Sequence, residues 1–220
     1  MKTLAHKLIS VASDVPSIAT GDIVICNVDL AMIHDSGGPR RVKPILERLN
    51  RTVWDKDKVV VVTDHYVPAT KAETQAIQAL TKEWVREQDI EKFYDEQGIC
   101  HVVLPERGHL SPGKFCVGGD SHSPTGGAFG AYMFGIGATE MAGVLATGTI
   151  WIKVPETILI RWHNQLTSFV TAKDMMLATC RKIGMGGGRY QAIQFAGDAV
   201  RQLGMQDRMT LSNMAAELGA

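Results

Sequence analysis

Hydrophobic residues recur along the chain in two patterns, short apolar runs and longer stretches with helical spacing. Residues 22–30 (DIVICNVDL) and 58–65 (KVVVVTDH) are runs of strand length that are rich in β-branched residues. The second run is almost entirely valine, which is typical of a strand covered on both faces. Both runs are therefore candidates for strands of a parallel sheet.

A stretch with helical spacing follows each of these two runs. Residues 40–50 (RRVKPILERLN) and 69–89 carry apolar side chains that repeat with the period of a helix, and the first residues of the chain indicate a short amphipathic helix. In the stretch 69–89 one stripe is predicted to face the core; it consists of Ala76, Ile77, Leu80 and Trp84. Strands that alternate with helices in this way predict a layered α/β/α domain.

The same alternation continues to the end of the chain. Residues 98–106 (GICHVVLPE), 113–120 (GKFCVGGD) and 148–155 (GTIWIKVP) are predicted as strands, with a glycine-rich helical region to about Ala146 before the last of them. After Pro155 the pattern restarts with a strand at 156–162, a helix that opens at Thr171, a strand at 191–195 and a final helix. We therefore expect a three-layer α/β/α domain over residues 1–156 and the beginning of a second α/β domain over 157–220.

Composition narrows the functions that such a chain can have. Lys plus Arg and Asp plus Glu both total 23, so no net field attracts nucleic acid or an anionic membrane. The first residues lack the continuous apolar core of a signal peptide, because His6 and Lys7 interrupt it. No run of about 18 apolar residues suggests a membrane-spanning helix. We expect a cytoplasmic protein without nucleic-acid or membrane partners.

The cysteines do not form a recognisable metal or disulfide motif. They are Cys26, Cys100, Cys116 and Cys180, widely separated and without a C-x-x-C pair. This spacing indicates neither a zinc ribbon nor a disulfide scaffold. Cys26, Cys100 and Cys116 lie in apolar runs and are predicted to be buried thiols.

Polar residues with acid–base chemistry follow the predicted strands. Asp64 and His65 end one strand, His101 lies near another, and Asp120, Ser121 and His122 end a third. In open α/β sheets, ligands bind outside the carboxyl ends of the strands. An aspartate that accepts a hydrogen bond from one ring nitrogen of a histidine fixes its tautomer and raises its basicity, as acid–base catalysis near neutral pH requires.

Four segments together resemble the aconitase superfamily. They are TDHYVP (63–68), GICHVVLPERGHLSPG (98–113), GGDSHSPTGGAFGAYMFGIGATE (118–140) and TGTIWIKVPETI (147–158). Among its branches the chain is most similar to the large subunit of 3-isopropylmalate dehydratase and its homoaconitase and dimethylmalate dehydratase relatives. VTAKDMMLATCRKIG and RMTLSNMAAELGA continue the match to the last residue, so the resemblance covers essentially the whole chain.

The resemblance implies a function and a cofactor. Enzymes of this family remove water from, and add it to, a small hydroxy-di- or tricarboxylate at a [4Fe-4S] cluster with one open iron. By motif, the catalytic residues would be Asp64 paired with His65, Asp120 paired with His101, and His122. The substrate-binding residues would be Ser121, His34, Asp35 and Gln194. A small subunit or swivelling domain would be the protein partner.

The chain departs from the family pattern in three respects: parts of the active site lie outside it, and two positions within it carry other residues. The family's cluster-binding cysteines would lie beyond Ala220, so none of the cysteines here is expected to hold a metal. The serine that removes the substrate proton belongs to the absent small subunit or domain. Gln194 stands where the family usually has an acidic residue, and Pro39 stands nearest to a substrate-binding glutamine of aconitase-like members.

Three functions are compatible with these patterns. The first is the N-terminal portion of a hydro-lyase large subunit of the 3-isopropylmalate dehydratase type, acting on a small branched 2-hydroxy dicarboxylate. The second is a catalytically silent domain that only binds a partner or a carboxylate. The third is an enzyme with a lone divalent metal, bound by Asp64, His65, His101, Asp120 and His122. The extent of the family match favours the first function over the third.

Overall fold

A computed structural model describes residues 2–220 of the chain. Residues 2–156 contain α1 (Leu4–Ala12), β1 (Ile23–Asn27), β2 (Leu30–His34), α2 (Pro39–Arg48), β3 (Val59–Thr63), α3 (Ala72–Glu87), β4 (Phe93–Asp95), α4 (Cys100–Glu106), β5 (Phe115–Gly118), β6 (Tyr132–Gly135), α5 (Ala138–Thr147) and β7 (Thr149–Lys153). Residues 157–220 contain β8 (Thr157–Arg161), α6 (Ala172–Ile183), β9 (Ala192–Ala196), α7 (Asp198–Gln202) and α8 (Met205–Asn213). Short 3₁₀ helices occupy Lys56–Lys58, Ser123–Phe129 and Met214–Leu218.

A parallel sheet of five strands in the order β4-β3-β2-β5-β6 forms the centre of residues 2–156. From β2 the chain moves outward through β3 to β4, and then returns to the other side of β2 to form β5 and β6. The strand order therefore reverses between β2 and β5. This reversal opens a crevice at the carboxyl ends of these two strands.

Helices cover both faces of the sheet, so the predicted three-layer α/β/α architecture is confirmed. Successive side chains of a strand point to opposite faces. Ile33 of β2 packs in the same cluster as Trp84 of α3, whereas its neighbour Met32 packs with Leu104 of α4. Both strands at the centre, β2 and β3, are buried along their whole length. The valine run was correctly predicted as a strand covered on both faces.

The stripe on α3 is confirmed only in part. Ile77 and Trp84 are buried, but Leu80 is partly exposed and Ala76 is exposed. Gln78 and Thr81 are buried instead, which rotates the inner face of the helix away from Ala76. Gln78 is satisfied there because its side-chain amide donates to the carbonyl of Tyr66.

The prediction that residues 22–30 form one parallel strand was wrong. The run contains β1 and the start of β2, and β1 pairs antiparallel with β7 in a separate two-stranded sheet. Only alternate residues of β1 are buried, so it is covered on a single face. Asp29 marks the break between the strands, because its carboxylate accepts the backbone N–H of Phe115 at 2.8 Å.

The prediction of a strand at residues 98–106 was also wrong, since this run forms α4. A short apolar run does not distinguish a buried strand from a buried helix. The helix start is fixed from outside the segment: the carboxylate of Asp64 accepts the backbone N–H of Cys100 at 2.6 Å. The strand β4 lies just before this helix and was not predicted.

The glycine-rich segment is helical only at its two ends. A 3₁₀ helix over Ser123–Phe129 and α5 flank the strand β6, which was not predicted. Gly135, the last residue of β6, lies against the backbone of the loop after β5, where an added Cβ would overlap the carbonyl oxygen of Asp120. Close approach of two backbone segments therefore explains a glycine at this position.

Residues 157–220 form a smaller α/β unit that packs on the first. Its strands β8 and β9 pair in parallel and form a two-stranded sheet of their own. The helix predicted to open at Thr171 is confirmed: Thr171 caps α6 and Asp174 accepts its backbone N–H. The predicted final helix is divided into α7 and α8. A domain boundary near residue 156 stays a prediction.

The helices of this structure were also compared with the requirements of a lipid bilayer. Across residues 2–220, none of them combines the length and the apolar character that crossing a membrane would require.

Substitution of Gly135 by alanine is expected to destabilise the chain by about 1–3 kcal/mol, the usual cost of overpacking. The obstacle is backbone, the carbonyl of Asp120, which cannot rotate away. The matched control is Gly143→Ala in α5, where an added Cβ meets nothing within 4 Å, and which should stabilise the helix by up to about 1 kcal/mol. Urea unfolding of the two variants measures the difference. Equal stability for both would contradict the close packing at Gly135.

Candidate functional site

The predicted acid–base residues meet at the carboxyl ends of three neighbouring strands. His34 ends β2, Asp64 and His65 follow β3, and Asp120 follows β5. These strands flank the position where the strand order of the sheet reverses. Parallel strands deliver their carboxyl ends to the same edge, so residues far apart in sequence come together in one crevice.

His65 is held by the carboxylate of its sequence neighbour. Its Nδ1–H donates to Oδ1 of Asp64 at 2.6 Å, while the other oxygen of Asp64 accepts the backbone N–H of Cys100. The second ring nitrogen of His65, Nε2, lies 3.6 Å from Oδ2 of Asp120. His65 is about one-third exposed, so a ligand in the crevice can reach this nitrogen.

Asp120 connects the remaining histidines. Its Oδ1 accepts Nε2–H of His101 at 2.7 Å and the backbone N–H of His122 at 2.8 Å. These bonds, that from His101 first, hold the pKa of Asp120 well below its usual range although partial burial acts in the opposite direction. Asp120 is therefore ionised at neutral pH and orients the His101 ring.

The position of His101 differs from the prediction. It lies in the first turn of α4 and not at the end of a strand. The helix start turns its ring toward Asp120, and the edge of this ring faces the ring of His122 at a centroid distance of 6.2 Å. The pairing of His101 with Asp120 that the family resemblance implied is present in the structure, but His101 reaches it from a helix and not from the end of a strand.

A carboxylate that was not predicted reaches the site from residues 157–220. Oε1 of Glu217 lies 3.1 Å from Nε2 of His122. The other oxygen of Glu217 is buried and has no hydrogen-bond partner among residues 2–220. Sequence analysis missed Glu217 because no histidine or acidic residue lies beside it in NMAAELGA. The side chain of Glu217 is about one-third exposed, so its contact with His122 lies at the surface of the site.

Ser121 and Gln194 line one open cleft between the two units, of about 1050 Å³. Ser121 is exposed, and its hydroxyl lies 3.2 Å from Nδ1 of His122. Gln194 lies in the middle of β9 and is partly exposed. Asp120 lines the same cleft. The acidic group next to His122 is Glu217, whereas the predicted position for an acidic group, residue 194, lies in the cleft wall.

His34 and Asp35 are the least accessible of the predicted site residues. His34 is 4% exposed and Asp35 is 0% exposed. The carboxylate of Asp35 accepts the backbone N–H groups of His65 and Tyr66, both at 3.1 Å. Asp35 thus holds the loop after β3 from within the fold.

The grouping of metal-binding side chains in the structure differs from the predicted lone-metal site. Donor atoms of His34, Asp35, Asp64 and His65 lie within 4.8 Å of one another, a set that only partly overlaps the predicted ligands. Each of these groups is already engaged in the hydrogen bonds described above or in a bond to the backbone of Gly119. Internal hydrogen bonds account for their proximity, so we assign no metal to them.

The cysteines do not fit an iron–sulfur cluster. Cys26, Cys100 and Cys116 are buried, as predicted, in separate elements. Burial raises the pKa of Cys26 to about 11 and that of Cys116 to about 12, which opposes the thiolate form that binds iron. Within residues 2–220, the grouping of metal-binding side chains contains no cysteine.

Comparison with known proteins assigns the chain to a class. Residues 7–220 match the aconitase family (aconitate hydratase). The chain belongs to the aconitase family, as its sequence motifs indicated. Membership of this family implies a [4Fe-4S] cluster.

Individual relatives place the chain more narrowly. It is similar to the 3-isopropylmalate dehydratase large subunit 1 of Methanopyrus kandleri, with 47% identity over 220 residues, which are 100% of this chain and 52% of the relative. It is 45% identical over 198 residues, 90% of this chain and 51% of the relative, to the probable methanogen homoaconitase large subunit of Methanosarcina mazei. The 3-isopropylmalate dehydratase large subunit of Moorella thermoacetica is 36% identical over 219 residues, 99% of this chain and 52% of that protein.

The chain spans about half the length of the curated relatives that it matches, and it corresponds to their N-terminal half. The four histidine rings and three aspartates described above all lie within this half.

Replacement of Asp120 by Asn is expected to lower the free energy of unfolding at neutral pH by about 1.5–3 kcal/mol, the value of a hydrogen bond to a charged group. The folded-state pKa of Asp120 is depressed, so its stabilisation is complete above the unfolded pKa of about 3.9 and is lost as pH falls through the folded pKa. Urea unfolding over a pH series should show a difference that shrinks below about pH 4.

The control for this measurement is Asp57→Asn, which changes an exposed carboxylate outside the site. It should have little effect at any pH. A difference between wild type and Asp120→Asn that stays the same from neutral to strongly acidic pH would contradict a charge-dependent role for Asp120.

Proposed function

We propose that this chain is the N-terminal portion of a hydro-lyase large subunit of the 3-isopropylmalate dehydratase type. The observation that carries this proposal is the connected set of acid–base groups at the crevice, in which Asp64, His65, Asp120 and His101 follow one another at 2.6, 3.6 and 2.7 Å. The similarity to 3-isopropylmalate dehydratase and homoaconitase large subunits supports it. The substrate would be a small branched 2-hydroxy dicarboxylate, dehydrated and rehydrated to give its isomer.

In this proposal His101 and His65 transfer the proton that turns the substrate hydroxyl into a leaving water. An imidazolium with an ionised aspartate beside it is stabilised until the proton moves, and the aspartate orients the ring. Asp120 plays this part for His101, and Asp64 plays it for His65. Because its pKa is depressed, Asp120 accepts hydrogen bonds and does not itself supply the proton.

Ser121, His122 and Glu217 would contact the polar groups of the substrate or its water. Ser121 is exposed, and the side chain of Glu217, about one-third exposed, lies beside Nε2 of His122 through its Oε1. Gln194, in the wall of the same cleft, offers an uncharged amide. Neutral amides bind water more weakly than carboxylates do, so we assign the stronger polar contact to Glu217.

Two parts of the reaction would come from outside residues 2–220. The cysteines here are unsuited to a [4Fe-4S] cluster, so the cluster would be bound by another polypeptide segment. The base that removes the carbon-bound proton would belong to a small subunit, since the relatives are named large subunits. The chain by itself would hold the acid side of the site.

The first test measures turnover after the chain has been joined to the missing parts of the enzyme. The 220 residues are fused to the second half of the Methanopyrus kandleri relative and combined with its small subunit, and the dehydration of 3-isopropylmalate and the hydration of homoaconitate are measured. His101→Ala should lower kcat by roughly 10²–10⁴-fold, the usual contribution of a positioned general acid. Cluster content should not change, because His101 binds Asp120 and no metal.

His163→Ala is the matched control, since His163 is exposed and lies outside the site. It should leave both turnover and cluster content unchanged. A fused protein that binds the cluster but turns over neither substrate would favour the catalytically silent domain. Loss of the cluster in His101→Ala would mean that this histidine is structural.

A second test concerns the chain alone. Reconstituted with iron and sulfide, the 220 residues should not acquire a [4Fe-4S] cluster, because the buried thiols resist ionisation and lie in separate elements. Visible absorbance and iron analysis check this, with the fused protein as the positive control. About four irons per chain, retained through gel filtration, would contradict the assignment of the ligands to another segment.

A further inference from the structure

The ring of His34 is enclosed and has both nitrogens engaged. Its Nε2 lies 2.9 Å from the carbonyl oxygen of Gly119, and its Nδ1 faces the backbone N–H groups of Ser36 and Gly37 at 3.2 and 3.4 Å. A carbonyl only accepts and a backbone N–H only donates. Nε2 therefore carries the hydrogen and Nδ1 the lone pair, which defines one neutral tautomer.

The loop after His34 closes over the ring. A Cβ on Gly37 would lie 3.3 Å from the carbonyl oxygen of Gly119 and 3.5 Å from Cε1 of His34, and a Cβ on Gly38 would overlap the backbone of His34. Two consecutive glycines thus allow the loop to pack directly on the histidine. With 4% of its surface exposed, His34 has no free edge for a substrate carboxylate.

The face of the His34 ring supports His65. The two rings are stacked, with centroids 3.9 Å apart and planes inclined by 11°. Burial, and secondarily the neighbouring His65 ring, lower the pKa of His34. A neutral ring can remain stacked when His65 becomes cationic, whereas two cationic rings at this distance would repel each other.

Asp35, the residue after His34, holds the backbone of His65. Both oxygens of Asp35 accept backbone N–H groups, Oδ1 from His65 and Oδ2 from Tyr66. The position of His65 on the loop is therefore set by backbone bonds, and its ring is held at Nδ1 by Asp64 and on one face by the stack on His34. The dipeptide His34–Asp35 contacts His65 at both its backbone and its ring.

We propose that His34 is a positioning residue, a hydrogen-bonded neutral ring on which His65 stacks and which sets the angle at which Nε2 of His65 faces Asp120. The consequence for turnover rests on the proposed function. The positioning itself is a property of the 220-residue chain. The proposal replaces the expectation that His34 contacts the substrate directly.

Nuclear magnetic resonance of the 220-residue chain with ¹⁵N-labelled histidine tests the positioning without any turnover. The ring nitrogens of His34 should show an unprotonated Nδ1 and a protonated Nε2 throughout neutral pH, and its protons should give cross-relaxation to the ring of His65. A His34 ring that takes up a second proton near pH 6.5, the ordinary pKa of histidine, or that lacks contact with His65, would overturn the proposal.

Two variants distinguish the contribution of the stacking surface of His34 from that of its hydrogen bonds. His34→Gln retains an N–H at the position of Nε2 but removes the stacking surface. His34→Phe retains a flat ring but leaves the carbonyl of Gly119 and two backbone N–H groups without partners, and each buried unpaired group costs about 1–3 kcal/mol. We therefore expect His34→Gln to be the more stable variant and His34→Phe to keep the His65 ring better ordered.

In the fused enzyme the order of activities should be the reverse of the order of stabilities. His34→Gln should lower kcat by about 10²-fold, the cost of misplacing a catalytic group by about 1 Å, with little change in KM. His34→Phe should retain more turnover. His163→Gln is the control for both measurements, because His163 is exposed and distant in sequence from the site.

Three results would overturn the proposal. Activities that follow stabilities would indicate a purely structural histidine. A raised KM with an unchanged kcat in His34→Gln would indicate a substrate contact. Unchanged His65 ring signals in His34→Gln would mean that stacking does not order His65. If His34→Phe does not fold, the ring signals of the wild type and the results for His34→Gln still test the proposal. Absence of turnover in the wild-type fusion would count against the proposed function and not against the positioning.

Discussion

The carboxylate of Asp120 is the interaction on which the site depends. It accepts hydrogen bonds from the ring of His101 in α4 and from the backbone N–H of His122 at the start of a 3₁₀ helix. It also faces Nε2 of His65, which follows β3. Three segments are thus oriented by one charged group. Since bonds to an ionised acceptor are stronger than bonds between neutral groups, the low pKa of Asp120 reflects how much the arrangement relies on its charge.

The position of that carboxylate depends in turn on glycine. Gly135 allows β6 to pass against the carbonyl of Asp120, and Gly118 leaves room for the hydroxyl of Ser123, which donates to the same carbonyl at 2.7 Å. A side chain at either glycine would displace the loop that carries the charge. The glycine-rich segment therefore brings backbones close together and thereby fixes the geometry of the acid–base groups.

Much of this protein follows from local sequence. A run of valines specifies a doubly covered strand, and Thr171 with Asp174 specifies a helix start, because both signals act over a few residues. The pairing of Asp64 with His65 is likewise local, since the two residues are adjacent. The rule that ligands bind at the carboxyl ends of parallel strands was enough to place Asp120 at the same crevice.

Only the tertiary structure decided the contacts that cross long intervals of sequence. The helix start that turns His101 toward Asp120 is fixed by Asp64, 36 residues earlier in the chain than Cys100. Glu217 reaches His122 across 95 residues. The antiparallel pairing of β1 with β7 was hidden for the same reason. Apolar pattern and capping report a residue's own segment, whereas the packing of distant segments determines which polar groups become partners.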